Sequence, residues 1–332
     1  MKIDRYIKFW NGKQMPIIGL GTWQASDEEI SVAVDAALEA GYRHIDTAYV
    51  YENEAAIGKA LKKWFDSGRI KREELFIVTK LPMTGFQPEK VEKYLNKSLA
   101  ALQLSYVDLY LIHFPCGLVD KEGNLFPVDE AGNLLIDPTT DHVALWKAME
   151  AQVDAGKAHS IGLSNFNARQ IERVVKAARI PPANLQVELH VYFQQRELVD
   201  FCKALDITVC AYAPIGSPGL SQFMDKIGGD KSSLPSLSPL SDPVVKEIAQ
   251  KHKKTTAQIL LQHIMLRGIA VIPKSANPER IKQNIEVFDF TLDEEDVKRL
   301  DSLDKGNKAR LFSGDMLKGI SKHPEYPYKD AY

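Results

Sequence analysis

Apolar positions along the chain recur with two different periods. Near the start, "YIKFWNGKQMPIIG" (6–19) alternates apolar and polar residues around Asn-Gly. That dipeptide tolerates the positive φ of a tight turn, so the segment predicts a hairpin. Short, nearly continuous apolar runs follow: "GLGTW" (19–23), "HIDTA" (44–48), "LFIVTKL" (75–81), "VDLYLIHF" (107–114), "HSIGLSN" (159–165), "NLQVELH" (184–190), "ITVCAYAP" (207–214) and "IAVIPKS" (269–275). Between them, stretches such as "DEEISVAVDAALEAG", "PEKVEKYLNKSLAALQ" and "AQILLQHIMLRG" place apolar residues three and four apart, the spacing of an amphipathic helix.

Eight strands covered on both faces and joined by helix-length connections predict an α/β fold, a (β/α)8 TIM barrel. We expect the 332 residues to form a single barrel domain. Such a barrel uses about 250 residues before insertions. The surplus falls in 114–140, 216–241 and the tail 303–332, all rich in Gly, Pro, Ser, Asp or Lys. The first two follow strands four and seven, which puts long loops at the C-terminal mouth. Loops of that length without regular structure are usually functional or disordered.

Composition narrows the function classes. The chain is 45% hydrophobic and 26% charged with a net charge of −2, so no broad attraction to nucleic acid or an anionic membrane is expected. Three widely spaced cysteines fit a reduced, cytoplasmic protein, and "MKIDRYIKFW" lacks the apolar core of a signal peptide. Eight histidines form neither an H-x-H nor an H-E-x-x-H cluster, so no metal site is expected. A glycosidase would need paired carboxylates across the mouth, for which only Asp46 and Glu188 offer themselves.

The strand ends carry the candidate chemistry. Side chains alternate along a strand, so Phe76, Val78 and Lys80 share one side, as do Val107, Leu109, Leu111 and His113. Both series turn from apolar to ionisable at the last step. A lysine there needs a partner, and Asp46 has the opposite sign. Tyr51 could then lie against the ammonium. A unit charge ~4 Å away at an effective dielectric of ~20 is worth ~4 kcal/mol, which predicts a phenol pulled well below its usual pKa before desolvation is subtracted. His113 could orient a substrate oxygen. Taken singly, Asp46 reads as a turn cap, Lys80 as a snorkelling side chain, His113 as a core histidine and Tyr51 as packing. Together they lie at the same end of three consecutive strands, where barrel enzymes keep their active sites.

"GYRHIDTAYVYENEAAIG" (41–58), "LFIVTKL", "DLYLIHFP", "GLSNFN" and "VIPKSANPERIKQN" closely resemble motifs of the aldo-keto reductase superfamily, and the resemblance runs from "MPIIGLGTW" to "FDFTLDEED". It implies a (β/α)8 barrel that reduces a small-molecule carbonyl substrate with NADPH and without metal, most commonly as a monomer. It also implies a tetrad in which Tyr51 is the general acid, tuned by Lys80 and Asp46, while His113 positions the carbonyl. The nicotinamide would stack on Tyr212, its carboxamide held by Ser164, Asn165 and Gln186, with Thr22, Trp23 and Asp46 alongside. Pro214, Ile215, Gly216, Ser217 and Pro218 would close over the pyrophosphate. Lys274, Ser275, Ala276, Asn277, Arg280, Gln283 and Asn284 would take the adenosine end. There a helix N-terminus and the Arg280 fork independently favour a phosphate, hence NADPH over NADH.

Trp23, Gln24, Val50, Tyr51, Pro82, His113 and Phe114 would line the substrate pocket. Pro82 and Phe114 stand where many relatives have tryptophan, which would widen the mouth. The segments 117–146 and 221–243 look most like insect members, including reductases of steroid ketones such as 3-dehydroecdysone. Some relatives are lens proteins or channel-associated subunits that retain NADPH, so a non-catalytic role is the competing class.

Overall fold

A computed structural model describes residues 3–121, 123–226, 235–314, 317–330 and 332. The expected hairpin is β1 (Tyr6–Lys8) paired antiparallel with β2 (Gln14–Pro16). Gly12 takes φ +82° at its turn. Eight parallel strands follow in chain order: β3 (Leu20–Gly21), β4 (His44–Asp46), β5 (Phe76–Leu81), β6 (Val107–Ile112), β7 (Ala158–Ser164), β8 (Asn184–Glu188), β9 (Thr208–Tyr212) and β10 (Ala270–Val271). Each lies beside its sequence neighbour.

The two ends of the sheet meet through the parallel bridges Ile18–Val271 and Gly21–Lys274. There Gly19 N–H donates to Val271 O at 2.9 Å and Val271 N–H to Ile17 O at 2.8 Å. The expected barrel is therefore present, with strands one and eight shorter than their apolar runs. Pro273 lacks an N–H and interrupts the ladder at this seam. Gly21 is required here, because a Cβ would sit 2.6 Å from Ile272 O.

The helices are α1 (Asp27–Glu39), α2 (Glu54–Asp66), α3 (Pro88–Leu102), α4 (His142–Asp154), α5 (Ala168–Ala177), α6 (Arg196–Ala204), α7 (Leu220–Lys226), α8 (Pro243–His252), α9 (Thr256–Met265), α10 (Pro278–Ile285) and α11 (Glu294–Asp301). Their starts follow local chemistry. Ser26, Asn167 and Thr255 each form a reciprocal capping box. Pro88, Pro243 and Pro278 open α3, α8 and α10, where a missing N–H costs nothing.

Strand alternation sorts the core into layers. Ile77, Leu81, Tyr110 and Ile112 join the large cluster shared with the helices. Phe76, Val78, Leu109 and Leu111 form a separate cluster with Cys210, Ala270 and Ile272 inside the barrel. Phe9 and Met15 of the hairpin belong to that inner cluster, so the hairpin seals the barrel end opposite the mouth. All three cysteines are free and buried.

The long segments are more structured than their composition implied. In 114–140, isolated bridges Leu118–Ile136 and Val128–Leu134 fold the chain back on itself. In 216–241, α7 and a 3-10 turn at Pro239–Ser241 flank residues 227–234, which lie outside the described residues. The tail runs as 3-10 turns at Gly306–Ala309, Ile320–Lys322 and Pro327–Lys329. No described helix is long and apolar enough to cross a membrane.

Candidate active site

Asp46 ends β4, Lys80 is the penultimate residue of β5, and His113 follows β6 by one step. The inward alternation that carries Phe76 and Val78 into the barrel brings Lys80 to the top of the same face. Its ammonium is fully buried and donates to Asp46 Oδ1 at 2.5 Å, Thr47 O at 2.9 Å and the Tyr51 hydroxyl at 3.2 Å. Tyr51 reaches this point from a 3-10 turn (Tyr49–Tyr51) just beyond β4, and its ring meets that of His113 edge-on at 5.6 Å. The second Asp46 oxygen accepts from Gln186 Nε2 at 2.7 Å, and Asp46 O accepts from the Thr22 hydroxyl at 2.8 Å. The carboxylate is thus pinned from both sides.

The electrostatics correct one expectation. The Tyr51 phenol lies above its ordinary pKa, not below it. Burial dominates, and the attraction of Lys80 is opposed by Asp46. A charge already neutralised by a carboxylate at 2.5 Å offers a third group only part of its field. Burial works against the Lys80 ammonium too, but Asp46 and Tyr51 outweigh it and hold its pKa above the usual lysine value. Burial, then Lys80, push His113 well below the ordinary histidine range, so its imidazole is neutral.

Around the mouth, Asn165 has φ +64° and a fixed amide. Its Nδ2 donates to His113 O at 2.9 Å and Ser164 Oγ at 3.2 Å, while its oxygen accepts from Tyr212 OH at 2.7 Å and Tyr328 OH at 3.3 Å. Gln186 sits beside Ser164 in the sheet but spends its amide nitrogen on Asp46. Pro214 is buried, while Ile215 and Ser217 are half-buried and Pro218 exposed. Gly216 turns at φ +82°, where a Cβ would lie 2.6 Å from Pro239.

At the opposite side, Asn277 caps α10 by accepting from Arg280 N–H at 3.0 Å, and Ser275 Oγ accepts from Asn277 N–H at 3.1 Å. Lys274 and Arg280 are exposed, Ala276 and Gln283 half-buried and Asn284 buried.

Among the residues expected to line the pocket, Trp23 and Phe114 have partners that the strand pattern does not reveal. Trp23 packs on Phe223 of α7 at 5.0 Å and on Phe312 of the tail at 5.5 Å. Phe312 also meets Tyr212 edge-on at 5.4 Å. Phe114 meets Tyr328 at 6.0 Å. Gln24 holds φ +65°, and its buried Nε2 has no hydrogen-bond partner among the described residues. Val50 is half-buried, and Pro82 is buried at the head of a 3-10 turn. The signal for Phe223, Phe312 and Tyr328 was present in the sequence: each is a large aromatic in a long polar segment at the mouth.

The Aldo/keto reductase family profile matches residues 17–305. The chain belongs to that family. Mouse aldo-keto reductase family 1 member A1 is 44% identical, the match covering 97% of each chain. Bovine prostaglandin F synthase 2 is 42% identical, with 98% of each covered. The solved structure of the aldose reductase from Schistosoma japonicum superposes over 100% of both chains with a TM-score of 0.88 at 43% identity. An aldo/keto reductase is an oxidoreductase that acts on small-molecule carbonyl compounds with a nicotinamide cofactor, and the cluster around Lys80 lies at the mouth of its barrel.

Proposed function

We propose that the protein reduces aldehydes and ketones to alcohols with NADPH, with Tyr51 as the proton donor. One observation supports this above the others: the Lys80 ammonium, held by Asp46, donates to the Tyr51 hydroxyl at 3.2 Å. An ammonium has no lone pair, so the phenol oxygen must accept in that bond. Its own O–H is then directed away from Lys80 and free to meet a carbonyl oxygen. The raised pKa keeps that proton in place at neutral pH. As it leaves, the phenolate forms beside an ammonium, an interaction worth ~4 kcal/mol at ~4 Å and an effective dielectric of ~20. Neutral His113 serves as a hydrogen-bond donor to the same oxygen without competing as the acid.

The residues present fit a dinucleotide. Some of the non-glycine residues with positive φ lie at the mouth: Gln24, Asn165, Ala213 and Ser217 at +65°, +64°, +51° and +45°. Such strain gathers where backbone and side chains are set for a ligand. Tyr212 would offer its ring to the nicotinamide, and the Ser164, Asn165 and Gln186 polar groups would meet the carboxamide. Thr22 and Trp23 would flank it. Pro214 to Pro218 would cover the pyrophosphate. Lys274, Ser275, Arg280 and the α10 N-terminus would take the 2′-phosphate, favouring NADPH. When bound, NADPH supplies the hydride that the protein itself lacks.

Gln24, Val50, Pro82 and Phe114, with Phe223 and Phe312, would shape the substrate end. The relatives above are vertebrate and schistosome proteins. The narrower reading of a steroid ketone such as 3-dehydroecdysone therefore rests on the loop segments and on the smaller Pro82 and Phe114. Loss of NADPH absorbance with a panel of aliphatic aldehydes, sugars and steroid ketones tests the function. We expect turnover with at least one class, whereas NADPH binding without turnover on any would favour the non-catalytic role.

A further inference from the structure

Glu188 is a carboxylate that the tetrad does not use. Asn184, Gln186 and Glu188 share one face of β8, while Leu185, Val187 and Leu189 pack outward with the helices. Gln186 reaches Asp46 from that face. Glu188 lies one inward layer higher and is only 1% exposed. Burying a carboxylate is costly unless its oxygens are satisfied. Here two of its hydrogen-bond partners come from the chain's far end: Oε1 accepts from the backbone N–H of Leu311 at 2.7 Å, and Oε2 from that of Phe312 at 2.9 Å. His190 Nε2 lies 2.9 Å from Oε1, and Gln195 Nε2 donates to the Glu188 carbonyl.

The neighbouring tail residue is also clamped. The Arg310 guanidinium lies 4.5 Å from the Phe193 ring centre and 3.9 Å from that of Tyr328. Beyond these attachments, the Phe312 ring comes to rest against both Trp23 and Tyr212.

We propose that Glu188 is a positioning residue: by gripping two consecutive tail amides it sets the Phe312 ring, and through it the wall that meets the bulkier part of a substrate. The inference rests on the reading of Trp23 and Tyr212 as substrate and nicotinamide contacts. The carboxylate suits this task because it only accepts, and both adjacent N–H groups point the same way. In Glu188→Gln one acceptor becomes an NH2 that faces a backbone N–H. One bond is lost and two donors are opposed.

Residue-resolved hydrogen exchange and steady-state kinetics on the full-length chain test the proposal. In Glu188→Gln, exchange at the Leu311 and Phe312 amides should rise about tenfold or more, the scale of a lost charge-assisted bond, while β5 and β6 stay protected. KM for a bulky aromatic ketone should rise by a similar factor, with kcat for a small aliphatic aldehyde changed less than twofold. Phe312→Ala should raise the ketone KM as well, and the double variant should add little to either single change, as expected of groups acting in series. Unchanged exchange at those amides, equal kinetic losses on small and bulky substrates, or additive effects would each overturn the proposal. If Glu188→Gln does not fold, wild-type exchange decides. Leu311 and Phe312 amides as slow as those of β8 support the anchor, and rates of exposed amides refute it. Exchange does not depend on turnover. A wild-type chain that reduces no carbonyl would refute the proposed function and leave the anchor to be judged on its own.

Discussion

At the scale of single residues, the decisive pair is Lys80 and Asp46. Alternation along "LFIVTK" made the lysine's inward direction legible, and opposite sign made its partner legible. The sign of the Tyr51 shift was not. Coulomb attraction can be guessed from two residue types, but desolvation depends on how much protein surrounds the phenol, and Asp46 screens Lys80 from the phenol. The same burial makes the pair fragile. Lys80→Met leaves the buried Asp46 carboxylate without the Lys80 ammonium, and removing one partner of a buried pair typically costs about 3–5 kcal/mol. Urea unfolding should show a loss of that order for Lys80→Met, and a smaller loss for Lys80→Met combined with Asp46→Asn. A double variant as unstable as the single would mean that the ion pair does not govern the local energetics.

Among elements, strands were easier to find than their ends. The apolar runs located all eight barrel strands. At the seam, however, β10 is only two residues long and Pro273 just beyond it has no N–H to donate, and a hydrophobicity pattern cannot register a missing donor. α7 was hidden in a Gly- and Ser-rich stretch with too few turns to display a period. The Glu188 contacts were invisible for a different reason: they join a side chain to backbone N–H groups more than a hundred residues away, which leaves no mark on the pattern of residue types. The α10 start was legible, because Asn277, Pro278 and Arg280 form a cap, an N1 proline and a fork in sequence. If that fork takes the 2′-phosphate, Arg280→Ala should raise the NADPH dissociation constant about tenfold or more while leaving that for NADH nearly unchanged, as the loss of a charge-assisted pair would. Fluorescence titration with both cofactors measures this, and equal weakening would place the phosphate elsewhere.

At the scale of the molecule, a closed barrel with one end sealed by the hairpin leaves the opposite mouth as the place for chemistry. The sealing residues Phe9 and Met15 were within the predicted hairpin, but their insertion into the barrel follows only from its three-dimensional closure. Three segments that the sequence marked as surplus supply aromatic walls at the mouth: Phe114 and Phe223 after β6 and β9, Phe312 and Tyr328 in the tail. On the proposed function, the barrel would hold the proton donor and the loops would decide what reaches it. The central claim, that Tyr51 hands over the proton, is tested most directly by Tyr51→Phe, which removes one oxygen and keeps the ring. Single-turnover reduction of an aldehyde, with NADPH affinity measured on the same preparation, should show a rate at least ~100-fold lower at unchanged affinity, since general acids contribute about 10²–10⁴. Reduction within a few-fold of the wild-type rate would contradict the account.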